Sequence, residues 1–283
     1  MKQIVVISGK GGTGKTVVTG SLAALAQNKV MVDCDVDAAD LHLLLHPEIK
    51  ERHEFKIGQT AVIDRQLCVK CGQCLELCRF EAIRPDYTVE SFSCEGCALC
   101  HYICPARAIR MAENIAGEWF VSVTKYGPFV HAKLGIAEEN SGKLVAKIRQ
   151  VARDIAKRDR LDFIIIDGPP GIGCPLIASL TGVDRALIVT EPTLSGLHDA
   201  QRVMEVARHF SVPVRMVINK YDLNPEMTDQ IDGYCRDYGV PVIGRIAFNR
   251  MIVESMVAGK TIIEQASSPL IKELTEIWEQ LEE

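Results

Sequence analysis

The sequence lacks the features of a membrane-spanning or nucleic-acid-binding chain. No apolar run in its 283 residues approaches the roughly 18 residues that a membrane helix needs. Acidic residues outnumber basic ones by 37 to 32, which argues against the basic stripe of a general nucleic-acid binder. The N-terminus, MKQIVVIS, enters an apolar run directly, so we expect no signal peptide, no membrane anchor and a cytoplasmic location.

Cysteine, by contrast, is abundant, with eleven residues. In a reducing compartment this density indicates metal binding or redox chemistry more than disulfide bonds. Eight of the eleven form a repeat with a period of 26 residues, in which Cys68, Cys71, Cys74 and Cys78 recur as Cys94, Cys97, Cys100 and Cys104. A repeated unit this short buries little apolar core and needs another source of stability.

The rest of the chain alternates short apolar runs with segments of helical spacing. The runs are residues 4–8, 30–33, 163–168, 186–190, 214–219 and 241–246. Continuous apolar strands separated by helices predict a doubly wound α/β domain with a mostly parallel sheet, covered on both faces. We therefore predict a discontinuous α/β domain (1–57 and 113–283) with a cysteine-rich domain (58–112) inserted into it.

The stretch GKGGTGKT, residues 9–16, lies between the first predicted strand and a helix, and it matches G-x-x-x-x-G-K-[ST]. In such a loop, backbone N–H groups and the helix N-terminus surround phosphate oxygens. We expect Lys15 to contact the β- and γ-phosphates and the Thr16 hydroxyl to hold Mg²⁺. The predicted nucleotide-binding loop comprises Gly9, Lys10, Gly11, Gly12, Thr13, Gly14, Lys15 and Thr16.

The loop carries a second lysine, Lys10. The pattern K-G-G-x-G-K-T resembles the deviant Walker A loop of the superfamily that contains MinD, ParA, Mrp and the nitrogenase iron protein. The resemblance implies that nucleotide drives formation of a homodimer, or of a heterodimer with a paralogue. It also implies that Lys10 reaches the phosphates bound by the other subunit; a solvated loop lysine is the alternative.

Two acidic positions match the same superfamily. Asp35 ends the run VMVDCD, and the resemblance implies that it positions the attacking water, with Asp37 and Asp40 as alternatives. Asp167 begins DGPPGIG, which resembles a Walker B strand followed by switch II, so we expect it to hold Mg²⁺ together with Thr16.

The choice of base is less constrained. Asn219, Lys220 and Asp222 form an N-K-x-D pattern that resembles the guanine-binding motif of GTPases. Related ATPases of the deviant-loop superfamily also have an asparagine at this place. We favour ATP and leave GTP open, with Asn219 and Asp222 as the candidate base-binding residues.

The repeated C-x₂-C-x₂-C-x₃-C motif resembles the bacterial two-cluster ferredoxins, in which the fourth cysteine of each motif binds the other cluster. The resemblance implies one [4Fe–4S] cluster on Cys68, Cys71, Cys74 and Cys104. A second would lie on Cys94, Cys97, Cys100 and Cys78. Zinc is the alternative, although paired triplets of cysteine suit cubane clusters better than the two pairs of a zinc site.

Three cysteines lie outside the repeat. We expect Cys34 and Cys235 to be buried and inert. Cys174 follows Asp167 by seven residues, the offset of a subunit-bridging cluster ligand in the nitrogenase iron protein. The favoured interpretation of Cys174 is nonetheless a small core thiol.

These features predict an iron–sulfur ATPase in which MgATP binding, hydrolysis and dimerisation control electron transfer through two clusters. The partner would be a redox protein or a protein of metallocofactor assembly. An Mrp-like carrier of clusters is the alternative, although no C-x-x-C pair follows Cys104. A MinD-type positioning ATPase is a third, which the acidic C-terminal segment WEQLEE disfavours. A purely structural role for the clusters also stays open.

We predict that Lys10→Ala leaves nucleotide binding by the monomer intact and suppresses both dimerisation and turnover, since only the contact between subunits is removed. Light scattering with and without MgATP, together with phosphate release, would measure both effects. Lys15→Ala is the control and should abolish nucleotide binding. Normal dimerisation and hydrolysis by Lys10→Ala would show that the lysine does not act across subunits.

Overall fold

A computed structural model describes residues 1–135, 141–265 and 268–283. Its strands are β1 (Lys2–Ser8), β2 (Lys29–Asp33), β3 (Glu48–Ile63), β4 (Ile109–Thr124), β5 (Gly127–Leu134), β6 (Phe163–Pro170), β7 (Arg185–Thr190), β8 (Val214–Asn219) and β9 (Val242–Ile246). Its helices are α1 (Lys15–Leu25), α2 (Leu41–Leu45), α3 (Gln73–Leu77), α4 (Leu99–Ile103), α5 (Ser141–Asp159), α6 (Cys174–Leu180), α7 (Leu194–His209), α8 (Pro225–Asp237), α9 (Arg250–Val257) and α10 (Ser268–Glu282). None of the described helices is long and apolar enough to cross a membrane.

The strands form one nine-stranded sheet in the order β3-β4-β5-β2-β6-β1-β7-β8-β9. From β5 to β9 in that order every neighbouring pair is parallel. This arrangement confirms the predicted mostly parallel α/β sheet. Because β2 and β6 pair with Asp33 opposite Asp167, the predicted Mg²⁺ ligand Asp167 has a second acidic residue directly beside it on the neighbouring strand.

The central strands are continuous apolar runs because both of their faces are covered. Residues 4–7 of β1 and 186–189 of β7 have no solvent exposure. Helix α1 covers one face with Val18 and Leu22, and α10 packs into the same core with Ile277. Full burial of an aliphatic side chain contributes about 1.5–3 kcal/mol, so these strands fix the frame on which the loops at their ends are held.

The strands β3, β4 and β5 were not predicted from the sequence. β3 begins EIKERHEFKI, and its side chains from residue 53 to residue 58 alternate between half-buried and exposed. A charged strand with alternating exposure has no continuous apolar run, so the pattern used for the other strands does not detect it. The turn between β4 and β5 ends at Gly127, whose φ of 113° is easily reached only by glycine.

The described chain divides into two compact units. The first comprises Met1–His53, Trp119–Leu134 and Ser141–Glu283 and contains the nucleotide-binding loop. The second comprises Glu54–Glu118 together with a segment that begins at Gly135, and it contains all eight repeated cysteines.

A polar cluster in the first unit surrounds Glu264. Its carboxylate accepts hydrogen bonds from Lys125 Nζ (2.5 Å), from the Tyr126 hydroxyl (2.5 Å) and from both the N–H and hydroxyl of Thr261 (3.1 and 2.9 Å). Partial burial opposes ionisation of Glu264, but these donors outweigh it and lower its pKa from 4.5 to about 2. The carboxylate therefore stabilises the fold only while it is ionised.

We predict that this stabilisation is fully present above the ordinary glutamate pKa of 4.5 and is lost as the pH falls toward about 2. Glu264→Gln should remove about 1 kcal/mol at neutral pH and make the free energy of unfolding less dependent on pH in that window. Urea unfolding at several pH values measures both. Glu254→Gln, in an exposed pair with Arg250, is the matched control. Equal pH dependence in both variants would contradict the prediction.

Candidate functional site

The nucleotide-binding loop connects β1 to α1 at the carboxyl edge of the sheet. Its conformation depends on glycine at two close contacts. A Cβ on Gly14, whose φ is 92°, would lie 2.2 Å from Asn219 Nδ2, and a Cβ on Gly9 would lie 2.4 Å from the Cβ of Asp199. The loop is therefore packed tightly against the ends of β8 and α7 while Gly11 and Gly12 face open space.

The carboxylate of Asp167 is the central acceptor of this site. It is 1% exposed, and its Oδ1 accepts from Lys15 Nζ at 3.0 Å and from the Thr19 hydroxyl at 2.8 Å. Its Oδ2 accepts from the Thr16 hydroxyl at 3.2 Å. The structure thus brings together the three residues that the sequence assigned to phosphate and Mg²⁺. Thr19 was not predicted; its spacing of four from Lys15, one helical turn, is the signal that the sequence offered.

Two further acids lie beside Lys15. Asp35 Oδ2 is 3.6 Å from Lys15 Nζ, and the fully buried Asp33 accepts from the N–H groups of Asp35 (3.1 Å) and Leu41 (3.3 Å). Burial opposes the charge on Lys15, but Asp167, Asp33 and Asp35 outweigh it and raise its pKa. Burial, then the neighbouring Asp167, raise the pKa of Asp33. The carboxyl oxygens around Lys15 are of the type that Mg²⁺ prefers as ligands.

Of the three acids considered for positioning the attacking water, Asp35 is the one that contacts Lys15. The two alternatives lie elsewhere: Asp37 and Asp40 line a cavity of about 410 Å³ together with Phe120 and His131. Desolvation, followed by nearby His42, lowers the pKa of His131 to about 4, so its ring is neutral there. The geometry therefore favours Asp35, whose catalytic role stays a prediction.

Lys10 contacts its own chain in this structure. Its Nζ lies 2.7 Å from Glu191 Oε1 and donates to Ser195 Oγ at 2.9 Å. The other oxygen of Glu191 accepts from Lys220 Nζ at 2.9 Å, and Lys220 also donates to the Gly12 carbonyl at 3.2 Å. Burial opposes ionisation of Glu191, but the two lysines outweigh it and lower its pKa. Glu191, which was not predicted from the sequence, thus bonds both Lys10 and Lys220 beside the nucleotide-binding loop.

The candidate base-binding residues both make contacts within the protein. Asn219 Nδ2 donates to the Thr13 carbonyl at 2.8 Å, and Asp222 Oδ1 accepts from the N–H of Phe248 at 2.6 Å. Asn219 therefore supports the nucleotide-binding loop as well as lying at its edge. The predicted contacts of Asn219 and Asp222 with a base stay predictions.

The eight repeated cysteines line two cavities of the second unit. The larger holds about 50 Å³ and the smaller about 10 Å³. The smaller is lined by Cys68, Cys71, Cys74 and Cys104. The larger is lined by Cys78, Cys94, Cys97 and Cys100, and also by Cys74. Each cavity thus receives three cysteines of one motif and the last cysteine of the other, and Cys74 lines both.

The backbone of this unit repeats with the sequence. The short helices α3 and α4 begin 26 residues apart, and left-handed φ values recur at the same interval. The pairs are Lys70 and Gly96, Gly72 and Ala98, and Glu81 and Arg107. Because left-handed residues are uncommon outside glycine, their recurrence indicates that both motifs adopt the same cradle.

The thiols lie close enough to influence each other. Burial, then the neighbouring Cys68, raise the pKa of Cys74, and burial followed by Cys94 raise that of Cys100. Cys74, Cys78, Cys94, Cys100 and Cys104 pack against one small apolar core with Ile83 and Ile109. Every cysteine of the chain is a free thiol, so this core is not held together by disulfide bonds.

No group of three or more His, Cys, Asp or Glu side chains within the described ranges is arranged to hold a single metal ion. A cubane cluster has a different requirement, since each of its four thiolates binds a separate iron. Four cysteines around a cavity fit that requirement. Mg²⁺ likewise needs only one or two protein ligands in addition to phosphate oxygens and water, which Thr16 and Asp167 fit.

The remaining cysteines differ in exposure. Cys34 and Cys235 are buried, and burial raises the pKa of both thiols, to about 12 for Cys235. Cys174 is exposed at the start of α6. Its interpretation as a core thiol is therefore wrong, because it is the first residue of a helix whose buried face begins only at Leu176.

Comparison with known proteins agrees with the nucleotide site. Residues 4–262 match the CbiA family, described as the CobQ/CobB/MinD/ParA nucleotide binding domain. An uncharacterized protein of Methanocaldococcus jannaschii is 33% identical, with 99% of this chain and 96% of that protein covered. An iron-sulfur cluster carrier protein of Pyrococcus furiosus is 27% identical, with 99% and 85% covered.

The structure of the cell division ATPase MinD of Pyrococcus furiosus superposes with a TM-score of 0.59 at 21% identity, and covers 99% of this chain and 98% of that one. The sheet and the loop therefore define a P-loop nucleotide-binding domain with the fold of MinD. The chain belongs to the CbiA family of CobQ/CobB/MinD/ParA nucleotide-binding domains.

We predict that Thr19→Val destabilises the fold by about 1–3 kcal/mol, because a buried carboxylate oxygen loses a donor. ATP turnover should fall as well. If Lys15 turned from Asp167 to the phosphates, Thr19 would be left as the hydrogen-bond donor to Asp167 Oδ1. Thr19→Ser should retain both properties. Thr275→Val is the matched control. The Thr275 hydroxyl bonds the carbonyl of Ile271 one turn earlier, as the Thr19 hydroxyl bonds the carbonyl of Lys15, but Thr275 is not part of the site. Equal effects of both valine variants would refute the role of Thr19.

Proposed function

We propose that the protein is an iron–sulfur ATPase, in which MgATP binding and hydrolysis control the redox state or reactivity of two [4Fe–4S] clusters. One observation carries the proposal. The two cavities of the second unit are lined by the two crossed sets of four cysteines that bacterial two-cluster ferredoxins use. Zinc sites usually take two cysteine pairs, whereas the paired triplets of this chain suit cubane clusters.

The cysteines would act as thiolate ligands. Cys68, Cys71, Cys74 and Cys104 would hold one cluster, and Cys94, Cys97, Cys100 and Cys78 the other. Bound there, the clusters would supply one-electron transfer. The cavity walls would exclude water with apolar side chains such as Ile83 and Ile109, both at most 6% exposed, and the Ala108 N–H already points at Cys104 Sγ at 3.3 Å.

In the nucleotide site, each charged side chain would exchange a protein partner for the ligand. Lys15 would leave Asp167 for the phosphates, which frees Asp167 and Thr16 to bind Mg²⁺ and its waters. Asp35 would then orient the attacking water. In a nucleotide-bound dimer, Lys10 would leave Glu191 for the phosphates of the other subunit.

The segment after Asp167 would respond to the nucleotide. The N–H of Gly171 donates to the Ser8 carbonyl at 3.0 Å, which joins this segment to the start of the nucleotide-binding loop. A Cβ on Gly168 would lie 2.5 Å from a methyl group of Ile7, so the backbone at Gly168 packs directly against β1. Contacts that differ between nucleotide states are what allows a ligand to shift a conformational equilibrium.

A second candidate is an ATPase that carries clusters to other proteins. It is favoured by the Pyrococcus furiosus relative, which is named an iron-sulfur cluster carrier protein. Against it, the proposed ligand sets include buried and half-buried thiols such as Cys74 and Cys78, which suits retention of a cluster. Rapid transfer of iron and sulfide to an apoprotein would favour the carrier, and a nucleotide-dependent potential would favour redox control.

The test is a spectroelectrochemical titration of anaerobically purified, cluster-replete protein with and without MgATP. We expect MgATP to shift at least one cluster potential by about 60 mV, since a coupling of about 1.4 kcal/mol corresponds to that shift for one electron. Lys15→Ala is the control, and its potentials should not respond to MgATP. Iron and sulfide analysis of the same samples should give two cubane clusters per chain.

Two results would overturn parts of the proposal separately. Zinc instead of iron in the anaerobic protein would remove the clusters. Two clusters whose potentials ignore MgATP in the wild type would remove the coupling and leave the carrier function as the better candidate.

A further inference from the structure

The walls of the two cysteine cavities correspond position by position at the interval of 26 residues. Ile63, Ala108 and Ile109 of the smaller cavity correspond to Val89, Ala82 and Ile83 of the larger. All four cysteines correspond as well. The two cavities are therefore two copies of one site, and any difference between them lies at the positions where the copies carry different side chains.

At some of the positions that differ, the smaller cavity has polar side chains and the larger cavity has apolar residues. The smaller cavity has Lys70, Gln73 and Tyr87 where the larger has Gly96, Leu99 and Ala61. Tyr87 also donates its hydroxyl to the Lys70 carbonyl at 2.9 Å. This bond fixes the backbone between Cys68 and Cys71 and leaves the polar end of the ring on the smaller cavity.

The charges differ too. The smaller cavity has Val69 where the larger has Glu95, and Pro105 and Ala106 where the larger has Arg79 and Phe80. Arg79 lies over the ring of Phe80 at 5.1 Å and opposes the charge of Glu95. Of the charged residues that line the walls, the smaller cavity thus has one cation and no anion, and the larger has one of each.

Reduction adds one negative charge to whatever cluster a cavity holds. A cation and polar groups stabilise that charge, whereas a carboxylate and apolar walls oppose it. We propose that the chain sets the two sites apart in reduction potential. The site of Cys68, Cys71, Cys74 and Cys104 has the higher potential because the charge of Lys70 is not offset by an acid in its wall. The site of Cys94, Cys97, Cys100 and Cys78 has the lower potential because Glu95 offsets Arg79. This inference rests on the proposed iron–sulfur function.

The test is an EPR-monitored redox titration of the full, cluster-replete chain with dithionite as the reductant. Wild-type protein should show two one-electron steps. Lys70→Gln should lower the higher midpoint potential by about 59 mV, which corresponds to a roughly tenfold change in the equilibrium constant for one-electron reduction. The lower midpoint potential should not change. Glu95→Gln should raise the lower midpoint and leave the higher one in place, so that the two variants act on different steps.

Two controls separate charge from structure. Lys70→Arg keeps the cation and should keep the wild-type midpoints. Glu113→Gln removes an exposed carboxylate of the same unit that pairs with Lys56 and lines neither cavity, and it should move neither midpoint.

The possible outcomes test the assignment of the two potentials separately from the proposed iron–sulfur function. Two clusters with one common midpoint, or Lys70→Gln acting on the lower step, would overturn the assignment of potentials while leaving the iron–sulfur function intact. Absence of iron, sulfide and an EPR signal from the reduced wild type would overturn both.

Discussion

The nucleotide site depends on the contact between Lys15 and Asp167. Both side chains are nearly fully buried, and a buried charge is tolerated only when it is paired. Asp167 is fixed at the end of β6, between β1 and β2, and Lys15 begins α1. The pair therefore holds the first helix, the loop before it and the central strands in one arrangement. It is also a pair that a phosphate and a divalent cation can replace with favourable partners of their own.

The second unit has a different requirement. Its core of apolar side chains is small, with Ala61, Ile83 and Ile109 at its centre, and a unit of this size needs further stabilisation. In the proposed holoprotein the crossed ligand sets would provide it, because each cluster would join the two motifs. The same crossing would couple cluster loss to unfolding of the unit, which explains why a carrier function and a stable redox function are in conflict within one module.

Sequence patterns were informative where chemistry or burial restricts the residue type. Continuous apolar runs identified the parallel strands, and the glycines and lysine of the loop located the phosphate site. The exposed strand β3 was missed because its charged residues form no such run. Cys174 was misjudged as a core thiol because cysteine is often buried, whereas its place at the start of α6 leaves it exposed.

The sequence by itself determined the α/β class, the phosphate loop, the acid at the end of β6 and the two cysteine motifs, since each follows from local spacing. Only the tertiary structure decided which groups meet. It placed Thr19 on Asp167, Glu191 between Lys10 and Lys220, and Asp35 instead of Asp37 beside Lys15. These contacts join residues far apart in the chain, and their partners depend on strand order and register, which no local pattern encodes.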